Sequence, residues 1–182
     1  MPNFNPDIHH RRSIRLRNYD YSQPGAYFVT LTTYQRLHLF GEIKEQVISL
    51  NQYGETIKFY WEDIPNHYSN ILLDSFTIMP NHVHGIIIIT DSILNVGAGL
   101  KPAPTKRYPL SEIVRAFKTF SARGINKTRA TPGIPVWQRN YYEHIIRNEK
   151  ELSPIREYIY SNVIEWKSDS ENPDISDEKN IR

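Results

Sequence analysis

The sequence of 182 residues contains no cysteine, which excludes disulfide bridges and thiolate metal sites. It also has no apolar run near the roughly 20 residues that a helix needs to cross a bilayer. The four isoleucines at 86–89 suit a buried strand instead. The N-terminus is polar and basic and lacks the apolar segment of a secretion signal. We therefore expect a cytoplasmic protein with no membrane partner.

The net charge of +2 conceals segments of opposite sign. Residues 168–182 contain five acidic and two basic residues, a composition that predicts a disordered tail. Residues 1–25 read as an irregular basic arm, and 26–167 as a single domain. Clustered bases favour a polyanionic partner, although a solvated surface is the alternative interpretation. The bases that we expect to contact phosphates are Arg11, Arg12, Arg15, Arg17, Arg115, Lys118 and Arg123.

Hydrophobic periodicity predicts the order β-α-β-β-α-β followed by one more helix. The predicted strands cover 27–34, 72–79, 82–90 and 135–147. The predicted helices cover 45–61 and 110–126, and a last one starts at Ser153-Pro154. This order is that of the ferredoxin-like α+β fold, in which helices cover one face of an antiparallel sheet. The C-terminal helix is an addition to that fold.

A His-x-His pair is the first candidate for chemistry. His82 and His84 fall on a predicted strand, where residues two apart point to the same face, so both imidazoles can converge on one metal ion. A hydrogen-bonded polar pair at a strand edge is the alternative. Gly85 follows, and a residue without a side chain lets another backbone or a substrate approach closely.

The C-terminal helix supplies a phenol and an amide on one face. Tyr158 and Asn162 are four residues apart and therefore neighbours on that helix. A phenol is a weak nucleophile at neutral pH because its pKa is about 10, and a cation beside an attacked phosphate would compensate. The chain has 12 tyrosines, so a packing role for Tyr158 is the plain alternative.

Several motifs together resemble the REP-associated branch of the single-tyrosine transposases of the IS200/IS605 type. The resemblance runs from about residue 11 to 167 in the same order. It rests on RRSIRL at 11–16, PGAYFVT at 24–30, MPNHVHG at 79–85, WQRNYYEH at 137–144 and YIYSN at 158–162. A departure is Val163, where that branch often has proline.

The resemblance implies a mechanism. Tyr158, on the C-terminal helix, would be the nucleophile that cleaves and rejoins single-stranded DNA through a 5′-phosphotyrosine link. His82, His84 and Asn162 would be the metal ligands, with Mg²⁺ or Mn²⁺ as the metal. The substrate would be single-stranded or hairpin DNA at palindromic repeats, and the active form would be a monomer or a homodimer.

Aromatic residues interleaved with bases at 137–142 suggest a second DNA contact, since bases stack on aromatic rings. The candidates are Trp137, Arg139 and Tyr142, for which packing within a strand is the alternative. Two other functions remain open at this point. One is a catalytically silent or host-adopted DNA-binding regulator. The other is a metal-dependent phosphodiesterase that uses water as the nucleophile.

Overall fold

A computed structural model describes residues 16, 19–91, 107–169 and 171–173. Its strands are β1 (Gly25–Thr32), β2 (Gly41–Lys44), β3 (Val47–Leu50), β4 (Ile71–Ile78), β5 (His82–Ile89) and β6 (Tyr142–Ile146). Its helices are α1 (Gln52–Glu62), α2 (Ile64–His67), α3 (Leu110–Thr128) and α4 (Glu149–Ser161), with 3₁₀ turns at Tyr34–Arg36 and Trp166–Ser168. Within the described ranges, no helix has the length and apolar character needed to cross a membrane.

Four strands form the main sheet in the order β4-β5-β1-β6, and every neighbouring pair is antiparallel. The helix α1 lies between β1 and β4 in the chain, and α3 lies between β5 and β6. Each of these connections skips one strand of the sheet, as in a split βαβ unit. The predicted α+β fold with an antiparallel sheet is therefore confirmed.

One face of the sheet carries the larger core, which α1 and α3 cover. Side chains alternate along a strand, so Val83, Ile87 and Ile89 of β5 point to this face together. Trp61 of α1 and Phe117 of α3 meet above them with ring centroids 5.4 Å apart. These two helices occupy the face expected for a ferredoxin-like domain.

The opposite face carries a smaller core beneath α4. Its fully buried members are Phe28, Ile86, Ile146 and Ile159, and Leu152 and Ile155 of α4 pack against them. His82 and His84 alternate with Val83, so they share this second face with Ile86. The C-terminal helix thus lies on the same side of the sheet as the histidine pair.

The helix predicted over 45–61 is wrong in its first part. Residues 41–50 form a hairpin, and only Gln52–Glu62 is helical. Glu45 and Gln46 make the two-residue turn with φ of 50° and 63°, the left-handed conformation that such turns require. Asn51 then starts α1, because its side chain accepts hydrogen bonds from the amides of Tyr53 and Gly54.

Two boundaries near the C-terminus also differ from expectation. The strand predicted over 135–147 is limited to Tyr142–Ile146, and Trp137 makes only an isolated bridge to Thr33. The last helix begins at Glu149, ahead of Ser153-Pro154, because the side chain of Asn148 caps it by accepting from the amide of Glu151.

Candidate functional site

The two histidines lie side by side on β5, fully enclosed by the protein. His82 is 0% and His84 is 2% exposed, and their ring centroids are 4.3 Å apart. Burial lowers the pKa of His82 to about 3 and the pKa of His84 well below its usual value. Both rings are therefore neutral at physiological pH, which is the form that binds a metal ion.

Hydrogen bonds around Asn81 determine which nitrogen of His82 carries the proton. The amide NH₂ of Asn81 donates to the backbone carbonyls of Arg36 and Glu171, so its oxygen is left to accept. The acceptor lies 2.8 Å from Nδ1 of His82, which must therefore be protonated. Nε2 of His82 then keeps its lone pair and points toward the centre of the site.

His84 connects the histidine pair to the C-terminal helix. Its Nδ1 lies 2.9 Å from the hydroxyl of Thr30, and its Nε2 lies 3.2 Å from the hydroxyl of Tyr158. Phe28 stacks on the imidazole at a centroid distance of 5.4 Å. The ring of Tyr158 meets the edge of Phe28, so the apolar core beneath α4 supports both groups.

Asn162 and Asp169 complete the enclosed part of the site. The amide of Asn162 donates to Oδ2 of Asp169 over 2.8 Å, and both side chains are buried. One ligand atom each of His82, His84 and Asp169 lie within 4.8 Å of one another. The histidine pair and this carboxylate could therefore hold one metal ion.

Two buried atoms indicate the same centre independently. Nε2 of His82 and Oδ1 of Asn162 have no hydrogen-bond partner among the described residues. A buried polar atom without a partner is costly, and a cation would satisfy both lone pairs at once. Two imidazoles with one carboxylate leave coordination positions open for a substrate oxygen. The residues present therefore fit a divalent cation.

Tyr158 lies at the mouth of the site rather than inside it. Tyr158 is 39% exposed, so part of the residue is open to solvent while its hydroxyl contacts His84. Burial, together with the negative charges of Asp169 and Glu171, raises the pKa of Tyr158 to about 12. The phenol is therefore protonated at neutral pH, and its activation requires nearby positive charge.

The described residues after α4, through 169 and at 171–173, lie against the histidines. The rest of the segment predicted to be disordered, residues 170 and 174–182, lies outside the described residues. Asp169 is buried, and Glu171 accepts a hydrogen bond from the hydroxyl of Thr32 and forms an ion pair with Arg36 at 3.5 Å. The acidic composition suggested a solvated tail, but these carboxylates find partners around the sheet. Asp169 was missed because nothing in its local sequence marks it as a ligand.

The groove between α3 and residues 133–141 contains five of the six predicted DNA-contact residues that the structure describes. It has a volume of about 700 Å³. Arg115 and Arg123 lie along its helical side, and the exposed Arg139 lies on the other. Arg115 forms an ion pair with Glu112, and the guanidinium of Arg123 lies 5.7 Å from the ring centre of Phe120. Arg11, Arg12, Arg15 and Arg17 lie outside the described residues.

Two predicted contacts have structural roles in this groove. Trp137 is 8% exposed and donates its indole N–H to Ser121, so it packs in the core and cannot stack on a base. The ammonium of Lys118 donates to the backbone carbonyls of Gln138, Arg139 and Asn140. These bonds hold the groove wall in place. They also engage the ammonium group that we expected to contact phosphate.

Tyr142 remains a candidate for stacking. It is 46% exposed and lies on the same face of the sheet as the histidines, because it pairs with Thr30 of β1. Its ring centroid is 6.2 Å from that of Phe28, which also contacts Tyr158. An exposed aromatic ring therefore lies next to the proposed nucleophile.

Comparison with known proteins gives relatives over most of the chain. No family model matches. An uncharacterised protein of Haemophilus influenzae is 42% identical over 173 residues, covering 91% of this chain and 95% of the relative. A second protein of that organism, described as "Putative REP-associated tyrosine transposase", is 25% identical over 149 residues, covering 80% of this chain and 73% of its own.

A solved structure shares the fold. It is a REP-associated tyrosine transposase bound to a REP hairpin, with a TM-score of 0.55 and 20% sequence identity. The match covers 83% of this chain and 73% of that one.

Proposed function

We propose that the chain is a REP-associated tyrosine transposase, the kind of protein to which it is similar, and that it cleaves and rejoins single-stranded DNA with Tyr158 as the nucleophile. The observation that carries the proposal is the contact between the Tyr158 hydroxyl and Nε2 of His84, 3.2 Å apart. An attacking oxygen at that distance from a metal ligand lies within reach of a phosphate bound at the same centre.

His82 and His84 would hold the metal ion through their Nε2 atoms, with an oxygen from Asn162 or Asp169. Bound there, Mg²⁺ or Mn²⁺ would supply the positive charge that stabilises a phosphate under attack. Asn81 fixes the lone pair of His82 toward the site, and the hydroxyl of Thr30 can accept a hydrogen bond from Nδ1–H of His84. Such outer hydrogen bonds orient the imidazoles for binding.

In the proposed reaction the phenolic oxygen of Tyr158 forms a bond to phosphorus as the bond from phosphorus to the 3′-oxygen breaks. The phenol loses its proton, and the departing 3′-oxygen gains one. The 5′-phosphate stays on Tyr158, and a 3′-hydroxyl can later attack it to restore the strand. One phosphodiester is exchanged for another, so rejoining needs no nucleotide energy source.

The DNA would reach the site along the aromatic and basic residues around it. Tyr142 offers an exposed ring beside Phe28, and base stacking on such a ring stabilises by roughly 1–3 kcal/mol per base. Arg123 and Arg139 in the groove would contact backbone phosphates. The related solved structure holds a REP hairpin, and we propose a hairpin with single-stranded flanks as the substrate here.

The experiment follows an end-labelled hairpin oligonucleotide with single-stranded flanks, incubated with protein and Mn²⁺ or Mg²⁺ and run on a denaturing gel. Wild type should give a covalent adduct that maps to Tyr158. Tyr158→Phe should fold and bind metal and DNA but form no adduct, because only the hydroxyl is lost. Tyr142→Phe keeps its ring and serves as the matched control, which should form the adduct.

Other outcomes would support a different function or overturn one part of the proposal. Cleavage without an adduct would identify a phosphodiesterase that uses water. DNA binding without cleavage in either metal would identify a DNA-binding regulator. An adduct on another tyrosine of the wild-type protein would overturn the assignment of Tyr158. Full activity of His82→Ala and His84→Ala in EDTA would remove the metal from the mechanism.

A further inference from the structure

The helix α4 presents three separate stripes of side chains. Leu152, Ile155 and Ile159 face the apolar core, and Tyr158 and Asn162 face the histidines. Arg156 and Tyr160 form a third stripe, four residues apart, that reaches the edge strand β4. This third stripe makes no contact with the catalytic groups, and the proposed reaction gives it no role.

A β-bulge in β4 orients two side chains toward this third stripe of α4. Leu73 pairs with Ile87 and Phe76 pairs with Gly85, so β4 advances three residues while β5 advances two. The irregular part contains Asp74 and Ser75. A bulge redirects the side chains at the point where it interrupts the ladder. Here it aims Asp74 and Ser75 at α4.

Arg156 and Asp74 meet in a two-point contact. Nε of Arg156 donates to Oδ1 of Asp74 over 2.9 Å, and a terminal nitrogen donates to Oδ2 over 2.6 Å. The side chain of Asp74 is 15% exposed, and the Arg156 guanidinium holds its pKa down at about 2. The hydroxyls of Ser75 and Tyr160 lie 3.2 Å apart one turn further along α4. The helix is thus held to β4 at successive turns.

The apolar part of the support beneath α4 is non-directional. It consists of a cluster with four fully buried apolar residues, which resists separation but does little to oppose rotation or sliding of the helix. A guanidinium paired with a carboxylate through two parallel bonds fixes orientation as well as distance. A displacement of about 1 Å at a reacting group can lower a rate about 100-fold.

We propose that the Asp74–Arg156 pair is a clamp that sets the rotation and height of α4 and thereby places the Tyr158 hydroxyl for attack. The inference rests on the proposed function of Tyr158. Asp74 and Arg156 act as positioning residues, because their hydrogen bonds are with each other, with Ser75 and with Glu149 rather than with Tyr158 or the candidate metal ligands.

The test compares single-turnover adduct formation at saturating DNA in clamp variants and wild type. Arg156→Ala and Asp74→Ala should lower the maximal rate about 10- to 100-fold, with DNA affinity and Mn²⁺ affinity unchanged within twofold. Arg156→Lys keeps the charge but loses the two-point contact, so its rate should lie between the rate of wild type and that of Arg156→Ala. Asp74→Arg with Arg156→Asp should recover at least tenfold over either reversed single variant.

Arg147→Ala is the matched control, because Arg147 forms an exposed ion pair with Glu151 at the start of the same helix. It should keep the wild-type rate. A purely structural pair would lower the melting temperature and leave the maximal rate of the folded protein unchanged, which would overturn the proposal. So would a charge reversal that recovers nothing, or a loss confined to DNA or metal affinity.

Hydrogen exchange separates this proposal from the proposed function. Amides of α4 should exchange faster in Arg156→Ala than in Arg147→Ala, and this readout needs no catalysis. If wild type forms no adduct while exchange in α4 rises as expected, the assignment of Tyr158 fails and the clamp on the helix stands. Unchanged exchange in α4 would overturn the clamp whether or not the wild type is active.

Discussion

Gly85 lies on the histidine strand β5 directly against the indole of Trp61, which suggests a severe test of the packing. A Cβ at this position would lie 2.2 Å from Cζ2 and 2.7 Å from Cη2 of Trp61. Carbon atoms in contact are normally about 3.5–4.0 Å apart, so the ring would have to move by more than about 1 Å. Gly85→Ala therefore tests whether position 85 requires glycine because of the indole, rather than because a substrate or a second backbone approaches it.

The cost follows from how firmly the indole is held. Trp61 is fully buried, and Phe76 and Phe117 lie against it at centroid distances of 5.9 and 5.4 Å. Overpacking of this kind costs about 1–3 kcal/mol and occasionally more. For a protein of this size that corresponds to a fall in melting temperature of roughly 2–12 °C. Gly25→Ala is the control, because its Cβ would meet no atom closer than 3.7 Å.

The assay is urea unfolding of four proteins: wild type, Gly85→Ala, Trp61→Phe and the double variant. Phenylalanine lacks the part of the indole that contains Cζ2 and Cη2, so it should make room for the new methyl. It also removes the buried Nε1, which has no hydrogen-bond partner in the described part of the chain. The double variant should be more stable than the sum of the single effects by about 0.5–3 kcal/mol. Additive effects, or equal stability of Gly85→Ala and Gly25→Ala, would refute the reasoning.

Three further predictions concern the site, the groove and the clamp. Asp169→Asn should weaken Mn²⁺ binding about 10- to 100-fold in calorimetry, and an unchanged affinity would exclude a role in holding the ion. Arg139→Ala should lower the slope of log affinity for DNA against log salt by about one. Lys118→Met should leave that slope unchanged and lower the urea midpoint, because three carbonyls lose their donor. The pKa of Asp74 is depressed to about 2, so its ionised carboxylate stabilises the folded protein fully at pH values above the ordinary pKa near 4. That stabilisation is lost as the pH falls through 2. The stability difference between wild type and Asp74→Asn should accordingly shrink from pH 4 to pH 2 in urea titrations.

The sequence predicted the parts of the fold that depend on local patterns. The alternation through His82 to Ile89 identifies a strand with two distinct faces, and the helical spacing in α3 gives a long helix. Both rest on side-chain periodicity, which is legible within a few residues. The spacing of Tyr158 and Asn162 placed them on one face of a helix, and the structure brings both beside the histidines.

Other features depend on partners that are distant in the sequence. Glu45 and Gln46 form a tight turn without the glycine or asparagine that usually marks one, so Val47 and Ile48 were read as part of a helix. Trp137 lies among aromatic and basic residues typical of a stacking surface, and its burial against Phe40 and Phe117 depends on residues distant in the sequence. Asp169 becomes a candidate ligand because the chain turns back after α4.

Because side chains alternate along β5, an error in the pairing register of this strand would affect both faces of the sheet. His82 and His84 face the site while Val83 and Ile87 face the larger core. A one-residue slip in pairing would exchange the two sets and put imidazoles into the hydrophobic interior. Such a slip would destroy the larger core and the site together. We therefore expect no well-folded form of the protein in which only the histidines are misplaced, because the larger core and the histidine pair depend on the same strand register.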